Sequence, residues 1–445
     1  MIAIETDDQA AEVRAHDRPP RRWFAGDAIK VAAVAAGLQG VAWAILAAVF
    51  GILRVGYDFF TLTDISAPYF PWVESMARGL LPYRDFPVEY PPLALLPIAA
   101  VGHADDFWAY AHAFAWLMFW TSMLCAMVIA LAAYGSERRA TKGYVAGAYF
   151  ALSVLAIGAL VGNRYDIVVA LVLAVAALLL ERRRWEWAAF ALGVGFALKI
   201  VPVILLPLVL ILAPGIRRKL KSLGAFLVSG VSPFLWVVAV SGIDGVTYMV
   251  RYHLLRPLEI ESVTASPFLF AATFGGVPAQ IGTAFGSQTL VMTGTDLASS
   301  VATVGLVLAV GWMYWLAHVR RDSLRANPRR IVFAALAVVF ASLVFSKVLS
   351  PQYFIWAMPL IALATAERPT SGVLPLLMLL LTHLLFPANY PALTRFESFP
   401  VLVLVARNIL LLVAFVLSAR YLLRVPTDGP PAAAERELGV GGTAV

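Results

Sequence analysis

Residues 58 to 97 read DFFTLTDISAPYFPWVESMARGLLPYRDFPVEYPPLALLP, with five carboxylates (Asp58, Asp64, Glu74, Asp85 and Glu89) among prolines and aromatics. Arg84 stands beside Asp85. Further charges occur singly in apolar surroundings: Arg164 and Asp166 in GNRYD, Lys199 in ALKIVP, Arg251, His253, Arg256 and Glu259 in YMVRYHLLRPLEIES, and Lys347 near Gln352 in KVLSPQYFIW. A carboxylate can act as general base on an acceptor hydroxyl. Arg and Lys bind phosphate, Arg bidentately and Lys as a point charge, and both stabilise charge growing on a phosphate leaving group. A sugar linked to a lipid phosphate asks for both. The chain has no phosphate-binding P-loop, no Gly-rich dinucleotide fingerprint and no H-E-x-x-H motif. His103, Asp105 and Asp106 are metal-type residues without a specific spacing. No metal, cofactor or nucleic-acid partner is expected.

The elements that must hold these residues are membrane-like. Of 445 residues 61% are hydrophobic and 14% charged, against about a quarter charged in soluble domains. Apolar runs near the length needed for a roughly 30 Å hydrocarbon core recur throughout. This predicts an all-α polytopic membrane protein; a β-barrel would show short alternating strands. Cys125 stands alone, so no internal disulfide forms, and it reads as a small buried hydrophobe. Residues 1–28 and 425–445 read as disordered tails flanking one transmembrane unit over 29–424. The first apolar run is too long for a signal-peptide core.

Most Lys and Arg fall in the tails and in SERRATK, ERRRWE, RRKLK and RRDSLRANPRR, which the positive-inside rule assigns to the cytoplasm. The first loop (54–107) and a second region (241–296) then face outward, and both termini lie inside. Predicted spans are 29–53, 108–134, 144–161, 166–180, 222–240, 297–317, 331–349, 351–366, 372–388 and 400–423. Residues 187–213 have basic clusters at both ends, so they must enter and return, as two half-length arms reversing at Lys199-Pro202. Counting both arms, the chain makes about twelve passages. Irregular backbone at that depth needs protein or a watery cavity around it.

In the first loop, Tyr69, Trp72, Val73, Met76 and Leu80 share one helical face. Pro71 suits the first turn and Gly79 the end, predicting an amphipathic helix lying in the outer interface. PYRDFPVEYPP then returns as stiff extended chain. Each acid here could also be an ordinary solvated one. Lys199 could hold an anion at a cavity floor, or serve a structural ion pair. Arg164 and Asp166 could simply pair with each other. The spacing around His253 gives no clean helix face, and His253 reads as a titrating or a hydrogen-bonding histidine. Together these residues would rim an outward cavity.

The pattern T-D-I-x(13)-G-x-x-P-Y-R-D-F-x-x-E-Y-P-P-L from Thr63 to Leu93 resembles the first loop of bacterial glycosyltransferase family 87, also called DUF2029, with the GT-C fold. A-L-K-I-V-P-x-x-x-L-P at 197–207 resembles the family's internal lysine-proline segment. K-V-L-S-P-Q-Y-F-I-W at 347–356 resembles a segment of the eukaryotic first GPI mannosyltransferase. The resemblance implies a bundle of about 10–12 transmembrane helices with a large first extracytoplasmic loop. It also implies inverting transfer of a sugar, usually mannose, from a polyprenyl-phosphate donor to a lipid or glycan acceptor at the cell membrane. The family's proposed base is an Asp at the start of the first outer loop, which Asp64 matches better than Asp58. Arg84, Asp85, Glu89, Arg164, Asp166, Lys199, Arg251, His253, Arg256, Glu259, Lys347 and Gln352 join Asp58 as candidate donor or acceptor contacts. The rivals are a transporter or lipid flippase, which charged membrane helices also suit, and a surface-polysaccharide polymerase or ligase, which would carry its large outer loop later in the chain.

Overall fold

The computed structural model describes residues 26–52, 64–102, 106–135 and 137–427. Asp58, His103, Asp105 and most of both expected tails lie outside them. The structure is 78% helical, an all-α polytopic membrane protein. In chain order the main elements are α1 (Gly26–Ile52), α2 (Phe70–Ala77), α3 (Phe107–Tyr134), α4 (Ala140–Ile157), α5 (Asp166–Glu181), α6 (Trp185–Leu198) and α7 (Leu206–Leu212). There follow α8 (Gly215–Ser241), α9 (Ile243–Leu254), α10 (Ser266–Gly275), β1 (Gln280–Ala284), β2 (Ser287–Val291), α11 (Thr295–Val319), α12 (Pro328–Val344), α13 (Tyr353–Glu367), α14 (Val373–Leu385) and α15 (Ser398–Arg424). Among the described residues six helices (α1, α3, α4, α8, α11 and α15) are long and apolar enough to cross a membrane. The other expected passages are shorter helices packed among them.

Local chemistry fixes the boundaries. The Asp106 carboxylate accepts the Ala109 N–H (2.8 Å) and caps α3. Asn327 caps α12 by accepting the Arg329 N–H (3.1 Å), with Pro328 in the first turn. The third span begins at Ala140 rather than 144, because Lys142 is drawn into its first turn by an ion pair with Glu367, and it stops at Gly158, whose φ is 69°. The span expected at 222–240 starts at Gly215, so the RRKLK cluster is helical rather than a loop. Gly143 and Gly147, four apart, let α4 meet α1 closely: a Cβ at Gly143 would come within 2.4 Å of Val31 Cγ1.

The helix α13 runs through the middle, buried from Phe354 to Ala366, as its sequence without a polar face requires. It packs on α4, α5 and α12. The second outer region departs from the all-helical expectation. Its stretch around His253 is helical, ending α9, and β1 and β2 form an antiparallel hairpin. Phe285 and Gly286 make its two-residue turn with φ of 49° and 66°. The segment 258–260 pairs onto β2, with the Ile260 N–H on Gln288 O (3.1 Å) and the Leu290 N–H on Leu258 O (3.0 Å), which fixes Glu259 in place.

The reversal at 187–213 is present. α6 stops where Lys199 turns extended (φ −157°, ψ 135°), one turn (Val201–Leu205) follows, and α7 leads back. Both ends meet at Arg325: its guanidinium donates to the carbonyls of Ile211 (3.2 Å), Leu212 (2.9 Å) and Ala213 (3.2 Å), and its own carbonyl accepts from Arg183 (3.0 Å). Glu137 and Glu367 with Lys142 and Arg329 complete the same end. The basic clusters thus gather at one end of the bundle, and the tip at Lys199 reaches toward the other.

Arg325→Ala should unclasp the hairpin. Solvent replaces part of the loss, so the cost is on the order of 2 kcal/mol, about one charge-assisted hydrogen bond. A lowered thermal midpoint in detergent is expected; an unchanged one would mean the clasp is idle.

Candidate active site

Arg164 and Asp166 stand at the start of α5, and they do not pair with each other. Asp166 is fully buried and accepts hydrogen bonds from Lys199 Nζ (2.6 Å) and Trp356 Nε1 (2.6 Å). As the first residue of α5 its carboxylate also suits the helix dipole. Arg164, in extended chain, forms an ion pair with Asp64. Two residues at the start of α5, one just before the helix and one opening it, therefore hold the first loop and the tip of the hairpin. Lys199 also lies about equally near four rings, 5.0 Å from Tyr165 and Trp356, 5.7 Å from Tyr90 and 5.8 Å from Tyr353.

Asp64 begins a wide turn (Ile65–Tyr69) that leads into α2, and its carbonyl accepts the Tyr69 N–H (2.9 Å). Its carboxylate also accepts the hydroxyls of Tyr90 (3.3 Å) and Tyr69 (3.4 Å). The predicted aromatic face exists, but it does not lie among headgroups. Tyr69, Trp72 and Val73 are buried, and Tyr69 packs on Phe114, Tyr165 and Tyr90. The apolar side of α2 is consumed by protein packing, which locks Asp64 in orientation. Leu80, past the helix end, is exposed.

Asp64 lines a cavity of 450 Å³ with Glu89, Arg164, Lys199, His253, Arg256, Glu259 and Gln352. Of these, Arg256 is distinctive. Its guanidinium lies over the Tyr252 ring (5.8 Å) and reaches the Tyr353 hydroxyl (3.5 Å), its Nε has no hydrogen-bond partner, and among the described residues it forms no ion pair with a carboxylate. Arg164 and Lys199 are already neutralised by Asp64 and Asp166. Glu259 accepts the Ser350 hydroxyl (3.0 Å) on one oxygen and has no protein partner on the other; Gln352 Oε1 has none either. Burial raises Glu89 and Glu259 above the ordinary carboxylate range, an effect that Arg256 partly offsets in both. The wall therefore offers acceptors and one free guanidinium, which suits hydroxyl groups and a phosphate.

Five expected contacts are not brought to this wall. Arg84 and Asp85 pair with each other on the surface (2.9 Å). Arg251 is exposed on α9. Lys347 donates to the Leu254 carbonyl (2.8 Å) while its own carbonyl accepts the Glu259 N–H (2.9 Å), so it braces the wall from outside. Asp166 lies behind Lys199. The lining also includes residues outside the expected contacts, among them Tyr90, Ser350, Tyr353 and Glu261, the last an acid of the same YMVRYHLLRPLEIES stretch. Glu261 is paired with Arg407 (2.7 Å), a fully buried arginine inside α15 that also donates to the Glu261 carbonyl (2.8 Å). A charge within an apolar run is the signal that singled out Lys199, and it was equally present in VARNILL.

A family profile for glycosyltransferase family 87 matches residues 88–351, more than half of the chain. The matched region contains Glu89, Arg164, Lys199, Arg256 and Glu259; Asp64 precedes it and Gln352 follows it. A comparison with curated proteins finds no match.

His253 tests the electrostatics of the wall. Its Nε2 lies 3.2 Å from the Glu89 carbonyl, which can only accept, so the proton sits on Nε2. Burial, then Arg256, push its pKa down from 6.5 to about 4. The unfolded chain takes up this proton near pH 6.5 and the folded one only near pH 4, so stability is lost as pH falls through that window. Thermal midpoints measured between pH 7 and pH 4 should fall less steeply for His253→Gln than for the parent (about pH 4 being the folded pKa). Equal slopes would show that His253 is protonated in the fold.

Proposed function

The chain belongs to glycosyltransferase family 87 and is a membrane glycosyltransferase; from that premise we propose that it moves a sugar, mannose in the first instance, from a polyprenyl-phosphate donor to a lipid or glycan acceptor. The observation that carries this reading is that one cavity is lined both by the oriented carboxylate Asp64 and by the unpaired guanidinium Arg256. The transporter or flippase reading is not favoured.

In this mechanism the acceptor hydroxyl oxygen attacks the sugar C1, and the bond from C1 to the phosphate oxygen breaks with its electron pair going to the phosphate. Asp64 takes the hydroxyl proton. Arg256 holds the departing lipid phosphate, and Lys199, paired with Asp166 and set among the surrounding rings, offers its remaining N–H donors at the cavity floor. Tyr69, Tyr90 and Arg164 hold Asp64 in place. A single displacement of this kind inverts the anomeric carbon. Glu259 and Gln352 would accept sugar hydroxyls. The gathering of basic clusters at the opposite end supports an extracytoplasmic site in a bacterial cell membrane, with both termini cytoplasmic and residues 29–424 acting as one unit.

Substitutions at two positions separate the roles. Asp64→Asn should lower turnover about 10²–10⁴-fold, the usual share of a positioned base, while binding of the donor is retained. Arg256→Ala should weaken donor binding, with Arg256→Lys restoring part of it, since Lys keeps the charge but loses the fork. Release of polyprenyl phosphate from polyprenyl-phosphate mannose in the presence of candidate acceptors is the readout. Parental turnover in Asp64→Asn would remove Asp64 from the chemistry.

A further inference from the structure

At the basic end, away from the cavity just described, α12, α14 and α15 enclose a second cavity of 260 Å³. Arg368, Arg420 and Arg424 line it together with the hydroxyl-bearing Ser371 and Ser418. Its depth is apolar: Phe333, Leu336 and Phe340, at offsets of three and seven, form one face of α12. A further space of 240 Å³ adjoins it through Phe333, Arg368 and Tyr421 and adds Arg330. Tyr421 stacks on Phe333 (centroids 4.1 Å apart, planes at 29°) and forms the wall between the two spaces.

The charge balance of this groove is unusual. Glu367, the one carboxylate lining it, is already held by Lys142 and Arg329. Among the described residues Arg330, Arg368, Arg420 and Arg424 form no ion pair with any carboxylate. Three guanidiniums, Arg368, Arg420 and Arg424, thus line one cavity with no carboxylate in its wall, and Arg330 stands in the adjoining space, where Glu367 is already held. Each stands at the end of an apolar helix, where the headgroup layer begins. A phosphate would be met by Arg forks and hydroxyls, and an alkyl chain attached to it would follow the apolar face of α12.

We infer that this groove binds the headgroup phosphate of an anionic phospholipid from the leaflet at the basic end, with an acyl chain lying against Phe333, Leu336 and Phe340. The site is separate from the transferase cavity and does not depend on the donor reading. Its occupant would link α12, α14 and α15 and make the stability of the protein depend on lipid charge.

The test places the full chain in nanodiscs of phosphatidylcholine alone and of phosphatidylcholine containing phosphatidylglycerol. Thermal midpoint and lipid retention in native mass spectrometry are the readouts. The parent should gain stability and retain phosphatidylglycerol in preference to phosphatidylcholine. The combined variant Arg368→Gln, Arg420→Gln, Arg424→Gln should lose on the order of a hundredfold in that preference, at about fivefold per basic residue. A control with the same loss of charge at another basic cluster, Arg217→Gln, Lys219→Gln, Lys221→Gln, should keep it. If the combined variant does not fold, Arg420→Gln alone should show the fivefold loss (about that much per basic residue). Equal losses in the two combined variants would overturn the site in favour of diffuse attraction. Stabilisation by soluble glycerol phosphate equal to that by the lipid would overturn the acyl groove.

Discussion

The structure depends on two ion pairs that cross at the start of α5. Asp64 with Arg164, and Asp166 with Lys199, place four charges inside a largely apolar bundle, beside a third buried pair, Glu261 with Arg407. A single charge at that depth costs several kcal/mol, and removing one partner of a buried pair leaves the other uncompensated. The first loop, the beginning of α5 and the tip of the hairpin can therefore coexist only in an arrangement that satisfies both pairs. The same pairs leave Arg256 as the cation of the cavity without a carboxylate. Structural need and the anion-binding capacity of the wall are thus two results of one charge arrangement.

Around this crossing the protein has two unlike ends. One gathers carboxylates, tyrosines and a few carefully held cations about a cavity. The other gathers arginines, with Arg325 closing the hairpin and Glu367 bridging Lys142 and Arg329. The central helix α13 joins them: Tyr353 and Trp356 line and support the cavity at its beginning, and Glu367 anchors the basic network at its end. Such polarity along one buried helix gives the molecule a direction across the bilayer.

Much of this was legible in the residues. Apolar runs disclosed the helices, paired basic flanks disclosed the reversal at Lys199, and isolated charges pointed to Arg164, Asp166 and Lys199. The partners of those charges were not legible, because Arg164 and Asp64 are a hundred residues apart and local spacing favoured the neighbour Asp166. The aromatic face of α2 has the same periodicity whether it meets lipid or protein; only the packing of Tyr69 on Phe114 and Tyr165 decides. Arg84 and Asp85 looked like site residues because they belong to a motif, yet their mutual pair satisfies both on the surface. The hairpin β1–β2 escaped notice because its strands are short and its turn, Phe285-Gly286, lacks the usual Asn-Gly signal.

The central claim is that one cavity presents Asp64 to the acceptor and Arg256 to the donor phosphate. A structure determined with a polyprenyl-phosphate sugar bound tests it most directly. The account predicts the phosphate within hydrogen-bonding reach of the Arg256 guanidinium, with the sugar C1 turned toward the Asp64 side of the cavity. A donor phosphate seated away from Arg256, with Asp64 still closed over by Arg164 and remote from the sugar, would contradict it.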